Sequence, residues 1–109
     1  MYSKNEIVKL VELIAETVEP SKIILFGSYA YGTPCEKSDI DLLVLLSGKS
    51  LTMEDRAKLA TKVYYKRKEV GMRTRYDAAY VAEEDVVEAI QRECATKDAI
   101  EKGRLVYVR

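Results

Sequence analysis

The hydrophobic and polar positions at the start of the chain predict a helix. Residues 3–6 read Ser-Lys-Asn-Glu, a capping box in which the serine side chain accepts from the glutamate amide and the glutamate side chain reaches back. Apolar residues then recur at helical spacing, at Ile7, Leu10, Val11, Ile14 and Val18. Because Pro20 cannot continue a helix, we expect this helix to end before it and to bury one apolar stripe.

Two short apolar runs follow and predict strands. Residues 22–26 are mostly apolar and stop at Gly27-Ser28, which is typical of a buried strand that enters a tight turn. Pro34 favours a loop over residues 33–37. Residues 39–46 then predict a second strand, and its strongly apolar far half indicates burial.

A long helix and a third strand are predicted next. Residues 52–55, Thr-Met-Glu-Asp, resemble another N-terminal cap, ahead of a helix that runs to about Val70. Gly71 is the residue type expected just past the end of such a helix. Residues 72–82 alternate in character well enough to predict a strand.

The last quarter of the chain completes an alternation of helices and strands. Residues 83–94 predict a helix with acids in its first turn, a further helical turn closes at Gly103, and residues 105–108 predict an edge strand. This order predicts an α/β (α+β) fold in one domain over residues 1–109, with no internal repeat or linker. The short link between the first two strands leaves parallel or mixed pairing open.

The composition argues against several kinds of binding partner. The 109 residues are 48% hydrophobic and 33% charged, a balance typical of a folded domain. Because 18 basic residues balance 18 acidic ones, there is no strong sign of direct nucleic-acid or membrane binding. The longest apolar run, residues 42–46, is far shorter than the roughly 20 residues that span a bilayer. The start of the chain lacks a signal-peptide pattern, so we expect a cytoplasmic protein with reduced thiols.

The residue types present also exclude several classes of enzyme. The chain has no histidine and two cysteines, Cys35 and Cys94. It therefore cannot build by itself a Cys/His zinc site, a Ser-His-Asp triad or a Cys-His pair. Any acid-base or metal chemistry must use carboxylates.

Two short patterns carry candidate chemistry. Asp39 and Asp41 are two residues apart, so a strand places both carboxylates on one face, where they repel unless a cation lies between them. Oxygen-only ligation of this kind suits Mg²⁺ together with phosphates, although solvated or capping acids also explain most such pairs. Gly27 and Ser28 offer backbone amides and a hydroxyl to phosphate oxygens, although a lone Gly-Ser is more often a turn.

The two patterns together resemble a known family. Gly-Ser-Tyr-Ala-Tyr-Gly over residues 27–32, followed by Ser-Asp-Ile-Asp-Leu-Leu-Val over residues 38–44, closely resembles the signature of the minimal nucleotidyltransferases. These are small members of the DNA polymerase β-like nucleotidyltransferase superfamily, and they are often antitoxins encoded beside HEPN-domain toxins. The resemblance extends over nearly the whole chain. It implies a mixed sheet flanked by helices and Mg²⁺-dependent transfer of a nucleoside monophosphate from an NTP, with loss of pyrophosphate.

The resemblance also implies roles for five residues. Gly27 and Ser28 would contact the triphosphate, and Asp39 and Asp41 would hold Mg²⁺. Asp77 is the only acid inside the third strand, so it maps to the third carboxylate of the family, completing a catalytic and metal-binding set for two ions. Without histidine, a carboxylate is the natural base for the acceptor hydroxyl. A solvent-facing strand acid is the alternative for Asp77.

The chain departs from the family at one position. Tyr31 stands where many relatives carry arginine, so another basic residue could take over its contact with the triphosphate. The candidates are Arg73 and Arg75 beside the third strand and Lys62, Lys66, Arg67 and Lys68 late in the long helix. A solvated face is the alternative for the helix residues. Tyr29 and Tyr31 could stack on a base or ribose, or simply pack within the protein.

Family context implies an acceptor and a partner. We expect AMP from ATP to be transferred to a hydroxyl of a partner protein, a HEPN-type RNase toxin, which the modification silences. The alternative is a non-catalytic antitoxin or nucleotide-binding module that acts by occlusion. Val86, Val87 and Ile90 are apolar positions that could contact the partner. The base preference, the number of nucleotides transferred and the formation of a homo-oligomer stay open.

Overall fold

Five α-helices and four strands alternate along the chain in this computed structural model, which describes the backbone of residues 1–109 and every side chain except that of Cys94. In chain order the elements are α1 (Lys4–Val18), β1 (Lys22–Phe26), α2 (Ser28–Tyr31), β2 (Ile40–Leu46), α3 (Met53–Glu69), β3 (Tyr76–Ala82), a 3-10 turn (Glu83–Asp85), α4 (Val86–Arg92), α5 (Cys94–Lys102) and β4 (Arg104–Val108). Of the helices described, none combines the length and the apolar character that crossing a lipid bilayer requires.

The four strands form one mixed sheet. Their order is β3-β2-β1-β4, with β1 antiparallel to both β2 and β4 and with β2 parallel to β3. The connection from β2 to β3 contains α3, which gives the chain the length needed to return in the same direction. The sequence left parallel and mixed pairing open, and the structure shows mixed pairing. The predicted α/β fold with flanking helices is confirmed.

The helices cover the two faces of the sheet separately. On one face α1 and α3 pack over the alternate β2 residues Ile40, Leu42, Val44 and Leu46. On the other face α4 and α5 pack over Leu43 and Leu45 of β2 and Val81 of β3. The far half of β2 is therefore buried on both sides, as its apolar sequence predicts.

Local signals place most helix ends correctly. Both capping boxes are present, with Ser3 paired to Glu6 and Thr52 paired to Asp55. Past the end of α3, the amide of Gly71 donates to the Lys68 carbonyl and the next amide donates to Arg67, which is a Schellman motif.

Two predicted boundaries are wrong. The third strand begins at Tyr76 rather than at residue 72, and the helix predicted over residues 83–94 is a 3-10 turn followed by α4, which ends at Arg92. Ser50 in the β2–α3 loop donates to the carboxylates of Glu84 and Asp85, which holds this acidic turn against a distant loop. A contact of that kind has no signature in local sequence.

Candidate active site

The sheet brings the predicted acids to one end of one face. Asp41 on β2 and Asp77 on β3 are direct register partners in the parallel pair. Side chains alternate along a strand, so Asp41 lies on the face of Leu43 and Asp77 on the face of Val81, both toward the α4–α5 side. Asp39 lies two residues before Asp41, just ahead of β2. The structure therefore places Asp41 and Asp77 side by side, with Asp39 two residues ahead of Asp41.

Burial and like charge act together on Asp41. Partial burial raises the pKa of the Asp41 carboxyl above its usual range, and the negative charges of Asp77 and Asp39 raise it further. The surroundings of Asp41 thus disfavour its charged form, and a cation bound nearby would stabilise that form.

Asp39 already has a positive partner. The Nε of Arg75 donates to Asp39 Oδ1 at 3.1 Å, and a second guanidinium nitrogen donates to the Glu36 carbonyl at 2.8 Å. Both members of the ion pair are about half exposed, with 53% of the Arg75 side chain and 50% of the Asp39 side chain accessible. Arg75 therefore joins the loop before β2 to the segment before β3.

Gly27 lies against the acids from the neighbouring strand. It follows β1, whose last residue, Phe26, is the register partner of Asp41. Its φ is +73°, and a Cβ at this position would overlap the Asp41 carboxylate. Only glycine accepts both the conformation and the close approach. Gly27 thus adjoins Asp41, and Ser28 follows it as the first residue of α2.

The two tyrosines of α2 are engaged within the protein. The Tyr29 hydroxyl accepts from the amide of Tyr2 at 2.9 Å, and their ring centroids are 6.1 Å apart. The Tyr31 hydroxyl donates to Asp98 at 3.1 Å. Tyr29 thus packs within the protein, as the alternative to base stacking has it, whereas Tyr31 is 41% exposed and stacking at this residue stays a prediction.

Among the basic candidates, Arg75 is the one that reaches an acid of the site. Helix α3 packs on the opposite face of the sheet, where Lys66 pairs with Glu69 at 3.8 Å. Arg67 lies over the ring of Tyr76 at 4.6 Å and donates to a backbone carbonyl. These contacts favour the structural interpretation of the α3 cluster.

The donor set suits a hard divalent cation. It consists of carboxylate oxygens alone, which is the chemistry that Mg²⁺ prefers. Among the side chains described, however, no group of three His, Cys, Asp or Glu residues is arranged to hold a metal. Asp39, held by Arg75, would have to turn toward the other two acids. The residues present therefore fit Mg²⁺ in kind, and assignment of Asp39, Asp41 and Asp77 as its ligands stays a prediction.

Sequence reasoning missed Tyr2 as part of this region. Its hydroxyl accepts from the Arg75 amide at 2.9 Å, while its own amide donates to Tyr29. Its position directly before the Ser3 cap is where an apolar residue often packs against its helix, which was the available signal. Periodicity could not reveal contacts to residues so distant in sequence.

Comparison with known proteins identifies the family. The sequence model of the family described as Polymerase beta, Nucleotidyltransferase matches residues 8–109, and the chain belongs to this family. A search among curated proteins finds no significant match.

Solved structures share the fold. A candidate nucleotidyltransferase from Sulfolobus solfataricus matches with a TM-score of 0.65 and 22% identity, over 96% of this chain and 79% of the other. A toxin-antitoxin complex with AMP-PNP matches with a TM-score of 0.55 and 24% identity, over 99% and 75%. A complex of tri-AMPylated Shewanella oneidensis HEPN toxin with MNT antitoxin matches with a TM-score of 0.50 and 22% identity, over 96% and 71%. At these identities the likeness establishes the fold.

Proposed function

We propose that this chain is a Mg²⁺-dependent nucleotidyltransferase that moves AMP from ATP to a hydroxyl of a partner protein. The observation that carries the proposal is the juxtaposition of Asp41 and Asp77 in the parallel strand pair, with Gly27 against Asp41. Clustered acids next to a glycine turn are costly to a purely structural domain, because like charges oppose one another. In a nucleotidyltransferase, by contrast, such acids can bind the cations that accompany the phosphates of the substrate.

The five site residues divide into three that would hold the cations and two that would bind the triphosphate. Asp39, Asp41 and Asp77 would hold the cations, two in number, which when bound neutralise phosphate charge and stabilise the attacking and leaving oxygens. The backbone amides at Gly27 and Ser28, together with the serine hydroxyl, would bind the triphosphate. Positioning and charge neutralisation supply most of the acceleration in phosphoryl chemistry.

Asp77 has the additional task of a general base. It lies at the start of an edge strand and is exposed, so an acceptor hydroxyl can approach it. The carboxylate would accept the proton of that hydroxyl as its oxygen attacks the α-phosphorus and pyrophosphate leaves. The absence of histidine from the sequence leaves carboxylates as the natural groups for this step.

We propose a HEPN-type RNase toxin as the acceptor, silenced by the modification. The support is that a chain in a solved complex of tri-AMPylated HEPN toxin with MNT antitoxin shares this fold. Of the apolar positions considered for partner contact, Val87 is 72% exposed, whereas Val86 packs against the core beneath α4. A cytoplasmic location follows from such a partner.

A non-catalytic antitoxin that acts by occlusion is the second candidate. The observation that favours it is the Arg75–Asp39 ion pair, which leaves the described carboxylates without a ready three-ligand arrangement. Such a protein would bind its partner without transferring a nucleotide to it.

Transfer of label from α-labelled ATP separates the two candidates. The wild-type protein, Asp41→Asn and Glu54→Gln would each be incubated with Mg²⁺ and a HEPN-domain protein, with the other NTPs as competitors. Glu54 is the matched control, because it is an exposed acid that pairs only with Lys58 on α3. We expect label on the partner with wild type and Glu54→Gln and none with Asp41→Asn. Tight association without label in any sample would instead establish occlusion.

A further inference from the structure

The segment before β3 carries a positive charge that is fixed from several directions. The Arg75 guanidinium is bonded to Asp39 and to the Glu36 carbonyl, and it lies 5.7 Å from the centroid of the Tyr2 ring. The Arg75 amide donates to the Tyr2 hydroxyl, so the backbone is held as well. An exposed arginine whose side chain contacts three residues in two separate segments is more restrained than a surface arginine that forms a single ion pair.

This charge sits beside acids that would otherwise repel. Of the ion pairs among the described side chains, the one that involves the acid cluster is Arg75–Asp39; Asp41 and Asp77 take part in none. The guanidinium thus supplies to Asp39 part of the positive charge that a cation would supply. Among the side chains described, no three carboxylates are grouped so as to hold a metal.

From these contacts we infer that Arg75 is a positioning residue that competes with a divalent cation for Asp39. The inference rests on the proposed function, because it requires the acid cluster to be the cation site. A cation that recruits Asp39 must displace the guanidinium, or bind beside it against its repulsion. The empty site therefore binds divalent cations more weakly than three free carboxylates would, which favours arrival of the cation together with the triphosphate.

Titration of the nucleotide-free protein with Mn²⁺, with free Mn²⁺ followed by electron paramagnetic resonance, tests the inference. We expect Arg75→Ala to tighten Mn²⁺ binding about two- to fivefold, the range of an exposed ion pair. Arg73→Ala is the matched control: Arg73 is an exposed arginine two residues away with no ion pair to the cluster among the described side chains. It removes the same charge two residues away in sequence and should change the affinity by less than about twofold.

Several outcomes would overturn the inference. Equal tightening in Arg75→Ala and Arg73→Ala would mean a general effect of charge, and weaker binding in Arg75→Ala would mean that the guanidinium orients Asp39 for the cation. Arg75→Lys keeps the charge and should stay near wild type, so a lysine variant that behaves like the alanine variant also contradicts competition. Asp41→Asn tests the proposed function separately. If Mn²⁺ binds this variant as tightly as it binds wild type, the cation does not bind at the acid cluster.

Discussion

Gly27 shows how one residue links the turn after β1 to the acids. Its positive φ and its closeness to the Asp41 carboxylate are separate requirements, and glycine meets both. The sequence predicts that Gly27 and Ser28 end a strand, and that Asp39 and Asp41 share a face. The distance between these two motifs could not be predicted, because it depends on the antiparallel register of β1 and β2.

Gly27→Ala should therefore destabilise more than Gly32→Ala. Both glycines have a positive φ, but Gly27 has ψ −158°, in a region almost confined to glycine, whereas Gly32 has ψ +20°, in the left-handed helical region. Nothing lies within 4 Å of a Cβ built at Gly32. We expect Gly32→Ala to lower the free energy of unfolding by about 1 kcal/mol from backbone strain. The rarer backbone conformation and the overlap with Asp41 should together cost Gly27→Ala about 1–3 kcal/mol more. Urea unfolding of both variants measures the difference, and equal losses would contradict both costs.

Removal of charge at Asp41 should separate activity from stability. Asp41→Asn relieves repulsion with Asp77 and Asp39, so we expect its free energy of unfolding to equal that of wild type within about 0.5 kcal/mol or to exceed it. Nucleotidyl transfer should fall at least about a hundredfold. The measurements are urea unfolding and label transfer on one preparation. Loss of cooperative unfolding in Asp41→Asn, or in Asp39→Ala, would show that these acids support the fold.

Among the secondary-structure elements, the best predicted boundaries are those set by local chemistry. The capping boxes at Ser3 and Thr52 and the glycine after α3 appear in the structure where the sequence places them. The predicted start of β3 is too early, because residues 72–75 alternate but have no register partner in β2. Arg75 belongs to this unpaired segment, which is why its contact with Asp39 could not be predicted from strand alternation.

The second capping box makes α3 sensitive to pH. Hydrogen bonding, above all from the Thr52 amide, lowers the pKa of the Asp55 carboxyl. A carboxyl with a lowered pKa in the folded state stabilises the protein above its unfolded pKa of about 4 and loses that effect as pH falls through the folded value. Wild type should therefore be more stable than Asp55→Asn at pH 7, with the gap closing in acid.

Thermal unfolding of wild type, Asp55→Asn and Glu54→Gln across pH 7 to 3 checks this dependence. Glu54 lies in the same helical turn and serves as the control, because it forms only a surface pair with Lys58. If the difference in Tm between wild type and Asp55→Asn does not change with pH, the charge of Asp55 does not contribute to the stability of the cap.

At the scale of the whole molecule, the sequence predicts the alternation of helices and strands and, through resemblance, the mixed sheet. Strand order and the assignment of α4 and α5 to the acid-bearing face follow from packing, which the sequence pattern does not encode locally. The family match covers residues 8–109, while the extent of the domain over residues 1–109 stays a prediction.

Binding of nucleotide should stabilise the whole fold. A ligand present at one hundred times its Kd adds about 2.7 kcal/mol to the free energy of unfolding. We expect ATP with Mg²⁺ to raise the Tm of wild type and to leave that of Asp41→Asn nearly unchanged. Calorimetry with ATP alone and Mg²⁺ alone provides the controls. A similar rise in the two proteins would place the nucleotide away from the acids.

The most direct test of the site is a crystal structure with Mn²⁺ and a non-hydrolysable ATP analogue. Anomalous scattering locates the manganese independently of the protein coordinates. The proposed function predicts manganese on the carboxylates of Asp39, Asp41 and Asp77, with the phosphates against Gly27 and Ser28. Manganese and phosphates bound elsewhere, for example in the groove of about 550 Å³ between α1 and β4, would contradict the central claim.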